Sequence, residues 1–247
     1  MANNGILSFG FGQDDDNIGR RITKFKMRDG ETSRVSFGWW PKNEKGQPDF
    51  TASTPKFIGA PSHYVPGVGR VIDPDGGLTE IVGSPPKLRI LTVLVRWPTN
   101  PMTGALDAER LKAGHWSVEL WDFTKTKYAQ LRPLHDEWNF AEHDLKCTCT
   151  DAGFQAMTFV NCKENLLRKL EGKETFEDIM SAVDALASQA SGELGRVMSA
   201  QDLRDKITQN GADGGGGSSR SSAPPQQRPP AAASRVDDMI DGFLGEI

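Results

Sequence analysis

From position 87 to 97 the chain reads Lys-Leu-Arg-Ile-Leu-Thr-Val-Leu-Val-Arg-Trp, and this stretch constrains the fold more than any other. A strand with one wet face alternates apolar and polar side chains. Here both faces are apolar through the middle, so the strand has to be covered on both sides and belongs at the centre of a sheet. Pro98-Thr-Asn-Pro-Met-Thr-Gly104 ends it, and a short helical segment is expected over 106–112.

Other strands are legible around it. Val35, Phe37 and Trp39 alternate with Arg34 and Ser36 after the Asp29-Gly30 turn signal. Over 115–123, Trp116, Val118 and Leu120 share one face. Residues 144–160 read as two strands around an Asp151-Ala-Gly153 turn. Residues 41–86 are punctuated by Pro and Gly throughout and read as short strands and long loops, with a further turn at Asp73-Pro-Asp-Gly-Gly77. A helix is expected over 125–138, interrupted or started at Pro133. The fold expected from this order is mainly β with α additions: an OB-fold-like five-stranded barrel over 20–170. A helical extension over 171–210 follows, with helical spacing at 175–187 and at 199–207, the second opened by a Ser199-x-x-Asp202 cap. These helices pack on the barrel or mediate self-association.

The two ends are of another kind. Residues 1–19 are rich in Gly, Asn and Phe and read as a flexible arm. The Gly/Ser/Pro-rich tract over 211–235 cannot bury a core and reads as a disordered linker. Beyond it, residues 236–247 carry four acids and no base, while Val236, Met239, Ile240, Phe243, Leu244 and Ile247 recur at helical spacing. Twelve residues are too few to hold a helix alone in water. An acidic, apolar-striped peptide on a tether spanning roughly 25–30 Å is built to dock elsewhere. Asp237, Asp238 and Asp241 supply charge for that contact, and Met239, Ile240, Phe243 and Leu244 supply the apolar face.

The body differs in charge from its ends. Between residues 17 and 169 there are 22 Lys and Arg against 17 Asp and Glu, whereas the last twelve residues carry a net charge of −4. A mildly basic body with acidic ends points to an anionic partner. No apolar run approaches the roughly 18 residues of a membrane span, and the first residues lack the pattern of an export signal. Three cysteines, odd in number, argue against a disulfide framework and for a reducing setting.

Signs of catalysis are missing. No phosphate-binding Gly-x-x-x-x-Gly-Lys-Ser/Thr, no dinucleotide fingerprint and no Gly-x-Ser-x-Gly occurs. His143, Cys147, Cys149 and Cys162 are zinc-ligand types, but Cys147 and Cys149 share one face of a predicted strand, where Cys behaves as a small buried hydrophobe. Asp14, Asp15 and Asp16 read as a solvated acidic run. Neither a metal nor a cofactor is expected. What remains is a basic and aromatic interleaving. Lys24, Lys26, Arg28 and Arg34 surround Phe25 and lead into Trp39 and Trp40. Arg96 and Trp97 close the central strand, and Trp121 precedes Lys125, Lys127 and Tyr128. Single-stranded nucleic acid is held in this way, with cations along the phosphates and rings against the bases. Trp116 sides with the core, while Trp40, Trp97 and Trp121 lie beside polar or turn boundaries and are candidates for the surface.

Three stretches carry a resemblance: Phe25-Lys-Met-Arg-Asp-Gly-Glu-Thr-Ser-Arg-Val-Ser-Phe37, Trp116-Ser-Val-Glu-Leu-Trp-Asp-Phe-Thr-Lys-Thr-Lys-Tyr-Ala-Gln-Leu131, and His143-Asp-Leu-Lys-Cys-Thr-Cys-Thr150 with the strand after it. In this order, and followed by a linker and an acidic tail, they resemble bacteriophage single-stranded DNA-binding proteins of the OB-fold type. The resemblance implies a non-catalytic protein that coats single strands in replication, recombination and repair, in the cytoplasm of an infected bacterial host. Its acidic tail would compete with DNA for the basic groove and recruit a polymerase, helicase or nuclease. The groove would be lined by Lys24, Lys26, Arg28, Arg34, Trp39, Trp40, Trp121, Lys125, Lys127 and Tyr128. The chain departs from the pattern in ending at Ile247 with Phe243 inside the tail, and in lacking the zinc module of some relatives. Two other functions fit the same features: a transcription accessory factor whose tail contacts a polymerase, and a metal-dependent nuclease with acids drawn from distant positions.

Overall fold

The central strand, β4 (Lys87–Trp97), has both faces covered and both edges paired. The computed structural model describes residues 22–52 and 54–213. One edge of β4 runs antiparallel along the whole of β5 (Ser117–Thr124). The other edge is divided: its first half pairs with β2 (Ile58–Val65) and its last four residues pair with β1 (Thr32–Phe37). From β1 the sheet continues through β6 (Leu145–Cys149) to β7 (Met157–Asn161), and from β2 through β3 (Gly69–Ile72) to the short parallel strand β8 (Arg196–Val197). Residues 23–25 add a parallel segment along β5, with Phe25 N–H donating to the Leu120 carbonyl at 2.9 Å.

The registers explain why an alternating pattern is missing from β4. Leu91, Val93 and Val95 share a face with Leu120. That face lies under α5 (Glu174–Leu194), whose Phe176, Ile179, Val183, Leu186, Ala190 and Leu194 are buried at steps of three and four. Packing is close enough that β1 is followed by Gly38, where a Cβ would stand 2.9 Å from Val183 Cγ2. On the opposite face, Ile90 and Leu94 lie with Phe37, Trp121 and Phe123. Rings roof this side: Phe140 stacks on Phe37 at 4.7 Å, Phe57 meets Phe123 edge-on at 6.2 Å, and Phe159 of β7 comes to 6.0 Å from Trp121. Helix α3 (Lys125–Trp138) adds the buried Leu131 and carries Pro133 inside it.

A second, smaller core joins the β2–β3 hairpin to α1 (Thr79–Val82) and α6 (Ala200–Asp213) through Val65, Val71, Leu78 and Leu203. Pro66-Gly67 makes the hairpin turn, with Gly67 at φ 77° and Val68 N–H donating to the Val65 carbonyl at 3.1 Å, the arrangement of a type II turn. The buried His63 and Asp73 are 2.8 Å apart, and Asp73 also accepts from Leu78 N–H at 3.0 Å, which pins the turn before α1. The two remaining helices, α2 (Ala108–Lys112) and α4 (Leu166–Lys169), are short and capped by Asp107 and Asn165.

The architecture differs from the expected five-stranded barrel. It is mixed α/β, built on an eight-stranded sheet that does not close. The extra strands are β2 and β3 over 58–72, where Pro and Gly punctuation hid a hairpin that pairs with half of the β4 edge, and β8 at Arg196–Val197. Of the helices expected over 171–210 to pack on the barrel or mediate self-association, α5 packs on the sheet and supplies one side of the main core. Ser199 does cap α6, accepting from Asp202 N–H at 3.1 Å, and α6 runs into the first three residues of the expected linker. The chain divides into two units, Met1–Asn210 and Gly211–Ile247. The arm over 1–19, the rest of the linker and the tail with Asp237, Asp238, Met239, Ile240, Asp241, Phe243 and Leu244 lie outside the described residues, as do Asp14, Asp15 and Asp16. Among the described residues no helix is long and apolar enough to cross a membrane.

Candidate nucleic-acid interface

Dividing one β4 edge between β1 and β2 sets the β2–β3 hairpin beside the start of β4, the end of β5 and the first turn of α3. A cleft of about 400 Å³ lies where they meet. Four cations face it, Arg70, Lys87, Arg89 and Lys127, against the single carboxylate of Asp122. Besides the buried His63 and Phe123, two more accessible rings line it: Tyr64 from the hairpin, 67% exposed, and the partly buried Phe154 from the β6–β7 connection.

The four cations are not equivalent. Arg89 is buried and spent on structure: its Nε donates to Asp122 at 3.0 Å and its Nη1 to the Glu193 carbonyl at 2.9 Å, which ties β4 to β5 and to the end of α5. Burial, helped by the neighbouring charge of Arg70, pushes its guanidinium down to about 10. Lys127 is also buried; its ammonium donates to the Phe154 carbonyl at 2.8 Å, and burial lowers it below the usual lysine range. Lys87 is exposed and Arg70 half-buried, and among the described residues neither is held in an ion pair. Arg70 lies across the hairpin register from Tyr64, its guanidinium 5.8 Å from the ring centroid. The cleft therefore offers positive charge outside any described ion pair at Arg70 and Lys87 beside exposed aromatic surface, the combination that a phosphate backbone with unstacked bases requires.

The residues expected to line a groove are dispersed by the fold. Trp40, Trp97 and Trp121 are corrected to core positions, 2%, 1% and 0% exposed, with Trp40 Nε1 donating to the Phe37 carbonyl and Trp97 Nε1 to Ser36 Oγ. No base can reach them. Arg34 is likewise structural: its Nε lies 2.7 Å from the fully buried carboxylate of Asp144, and its Nη2 donates to the Glu164 carbonyl at 3.0 Å. Arg96 is engaged by Glu31 and by Glu119 at 3.7 Å, and Lys24 by Glu193 at 2.6 Å. Trp39 is half-buried with the Lys56 ammonium 5.1 Å above its ring. Lys26 and Arg28 are exposed but line a different depression, with Arg96 and Met102. Lys125 is exposed directly after the Thr124 wall of the cleft, and Tyr128, 36% exposed, packs its edge on Phe57. Of the expected set, Lys127 alone lines the cleft itself.

Tyr64, Arg70, Lys87 and Phe154 were missed. Tyr64 and Arg70 flank Pro66-Gly67-Val68 symmetrically, which is what pairs them across a hairpin, and the Pro66-Gly67 turn signal was available in the sequence. Phe154 lies hidden inside a turn.

Among the described residues no group of three or more His, Cys, Asp and Glu is placed to hold an ion. Cys147 and Cys149 are fully buried core residues, and His143 Nδ1 is 2.8 Å from the Cys162 carbonyl. No family model, no curated protein and no solved structure matches the chain.

Proposed function

We propose that this chain is a non-catalytic, sequence-tolerant single-stranded DNA-binding protein, and that the strand lies in the cleft between the β2–β3 hairpin and the β4–β5–α3 wall. One observation carries this: Arg70 and Lys87, two cations held in no ion pair among the described residues, stand beside the rings of Tyr64 and Phe154 in one concave surface. The topology supports it. Strand order β6-β1-β4-β5, with β6 returning beside β1 after a helix, is that of a Greek key, and OB folds are five-stranded, partly open Greek-key barrels. The loop that joins β6 to β7 corresponds to the last loop of such a barrel, one of the two that take oligonucleotides. In this role the protein coats strands exposed in replication, recombination and repair. The acidic 236–247 peptide recruits the replication or recombination partner.

The first test is fluorescence anisotropy of a labelled oligothymidylate titrated with the full chain. Binding is expected at low salt, with log K falling against log salt at about −0.7 per phosphate contact. A flat salt dependence, or no binding at low salt, rejects the function.

A further inference from the structure

Phe154 has the only positive φ of any non-glycine residue described, 57°. A bulky aromatic side chain disfavours the left-handed region, so the conformation persists only because its surroundings impose it. They do so several times over. Asp151 Oδ1 accepts from the backbone N–H of Gln155 at 2.8 Å and of Ala156 at 2.7 Å, and Asp151 Oδ2 from Gly153 N–H at 3.2 Å. Thr150 N–H closes the loop onto the Ala156 carbonyl at 3.0 Å. From α3, Lys127 donates to the Phe154 carbonyl at 2.8 Å while its ammonium stands 4.7 Å from the centroid of the Phe154 ring. Phe25 meets the same ring edge-on at 5.8 Å. A loop whose only task was to join two strands would carry Gly or Asn at this position. Here the strained residue is the one ring that this loop presents to the cleft.

We propose that Phe154 is a pre-set platform on which a base of the bound strand stacks, and that Lys127 is a positioning residue that holds the platform rather than a phosphate contact. This rests on the single-strand function proposed above. The contacts of Asp151, Lys127 and Phe25 keep the ring in its binding orientation before the strand arrives, so the ordering cost at this position is met before binding. It also reassigns a cation: Lys127 is used up on a carbonyl and a ring, and the charge that tracks the backbone comes from its neighbours.

The experiment compares two strands of equal length, an oligothymidylate and one with abasic residues, against the wild type and three variants. Phe154→Asn accepts the left-handed conformation and lacks the ring. It is expected to weaken oligothymidylate binding roughly tenfold, to leave the abasic strand and the salt slope unchanged, and to keep the melting temperature near that of the wild type. Phe154→Trp should retain oligothymidylate affinity. Lys127→Met should follow Phe154→Asn, losing affinity for the strand with bases alone. If Phe154→Asn binds both strands as the wild type does, the platform is refuted. If Lys127→Met weakens the abasic strand equally and lowers the salt slope by about 0.7, Lys127 is a phosphate contact and the positioning role is refuted. A wild type that binds neither strand rejects the function itself, a result distinct from either of these.

Discussion

Replacing Arg34 by Met separates a structural arginine from a DNA-binding one. Arg34 is 13% exposed at its side chain and Asp144 0%, so the pair is out of water. Met keeps most of the volume and leaves the Asp144 carboxylate with Ser36 and the Leu166 N–H at 3.2 Å as its remaining partners, and the Glu164 carbonyl with the Asp144 N–H at 3.1 Å alone. Breaking a buried pair by removing one partner costs about 3–5 kcal/mol, which for a domain of this size lowers the melting temperature by roughly 6–20 °C. The deficit has a definite pH dependence. Burial pushes the Asp144 carboxyl up to about 6, even though Arg34 pulls it down. A folded-state value above that of the unfolded chain means that folding takes up a proton, so stability is greatest below the unfolded value and is lost as pH rises through the folded one. Without Arg34 the folded value climbs further, and the loss grows. Thermal or urea unfolding at pH 5 and pH 8 should show a smaller deficit at pH 5, while the folded variant binds oligothymidylate with the wild-type salt slope. A deficit below about 1 kcal/mol, or one equal at both pH values, refutes the buried pair. A reduced salt slope would return Arg34 to the DNA contacts.

Gly38→Ala places a Cβ 2.9 Å from Val183 Cγ2 and 3.2 Å from Val95 Cγ2, and should cost about 1–3 kcal/mol in chemical denaturation. Adding Val183→Ala should restore part of this, and strictly additive losses would show that α5 does not bear on this glycine. His63→Ala leaves the buried Asp73 with its backbone donors alone and should destabilise the chain by about 1–3 kcal/mol; no change would mean that the pair does not pin the hairpin to α1. Acrylamide should quench only part of the tryptophan emission, because Trp40, Trp97 and Trp121 are enclosed and Trp138 is 43% exposed. Uniform quenching of all emission would contradict the core assignment.

The parts of the fold that could be anticipated are those whose pattern is complete within one segment. β4 declares itself by apolar residues on both faces, α5 by its steps of three and four, and the β6–β7 hairpin by its turn. The second hairpin escaped because what makes 58–65 a strand is the half edge of β4 left open beyond β1, and no local pattern contains that. Burial of the tryptophans escaped for a related reason. An indole beside a turn suits a core or a groove equally, and Trp97 is settled only by Ser36 and its pairing with β1. Charge was the least legible property: Arg34 finds Asp144 110 residues away, Lys24 finds Glu193, and Lys127 finds a carbonyl. Counting cations along the chain overstated those free to meet phosphate and overlooked Arg70 and Lys87, which are 17 residues apart in the sequence and converge only through the sheet.

The most direct measurement sets charge reversal in the cleft against charge reversal outside it. Arg70→Glu with Lys87→Glu and Lys26→Glu with Arg28→Glu change net charge equally, and only the first pair lines the cleft. Oligothymidylate affinity, measured across a salt series, should fall by at least about tenfold with a salt slope shallower by about 1.4 in the first variant, two contacts at 0.7 each, and should change only slightly in the second. Equal losses in both would mean that binding follows overall charge, and a loss confined to Lys26 and Arg28 would place the strand in the depression that those two residues line.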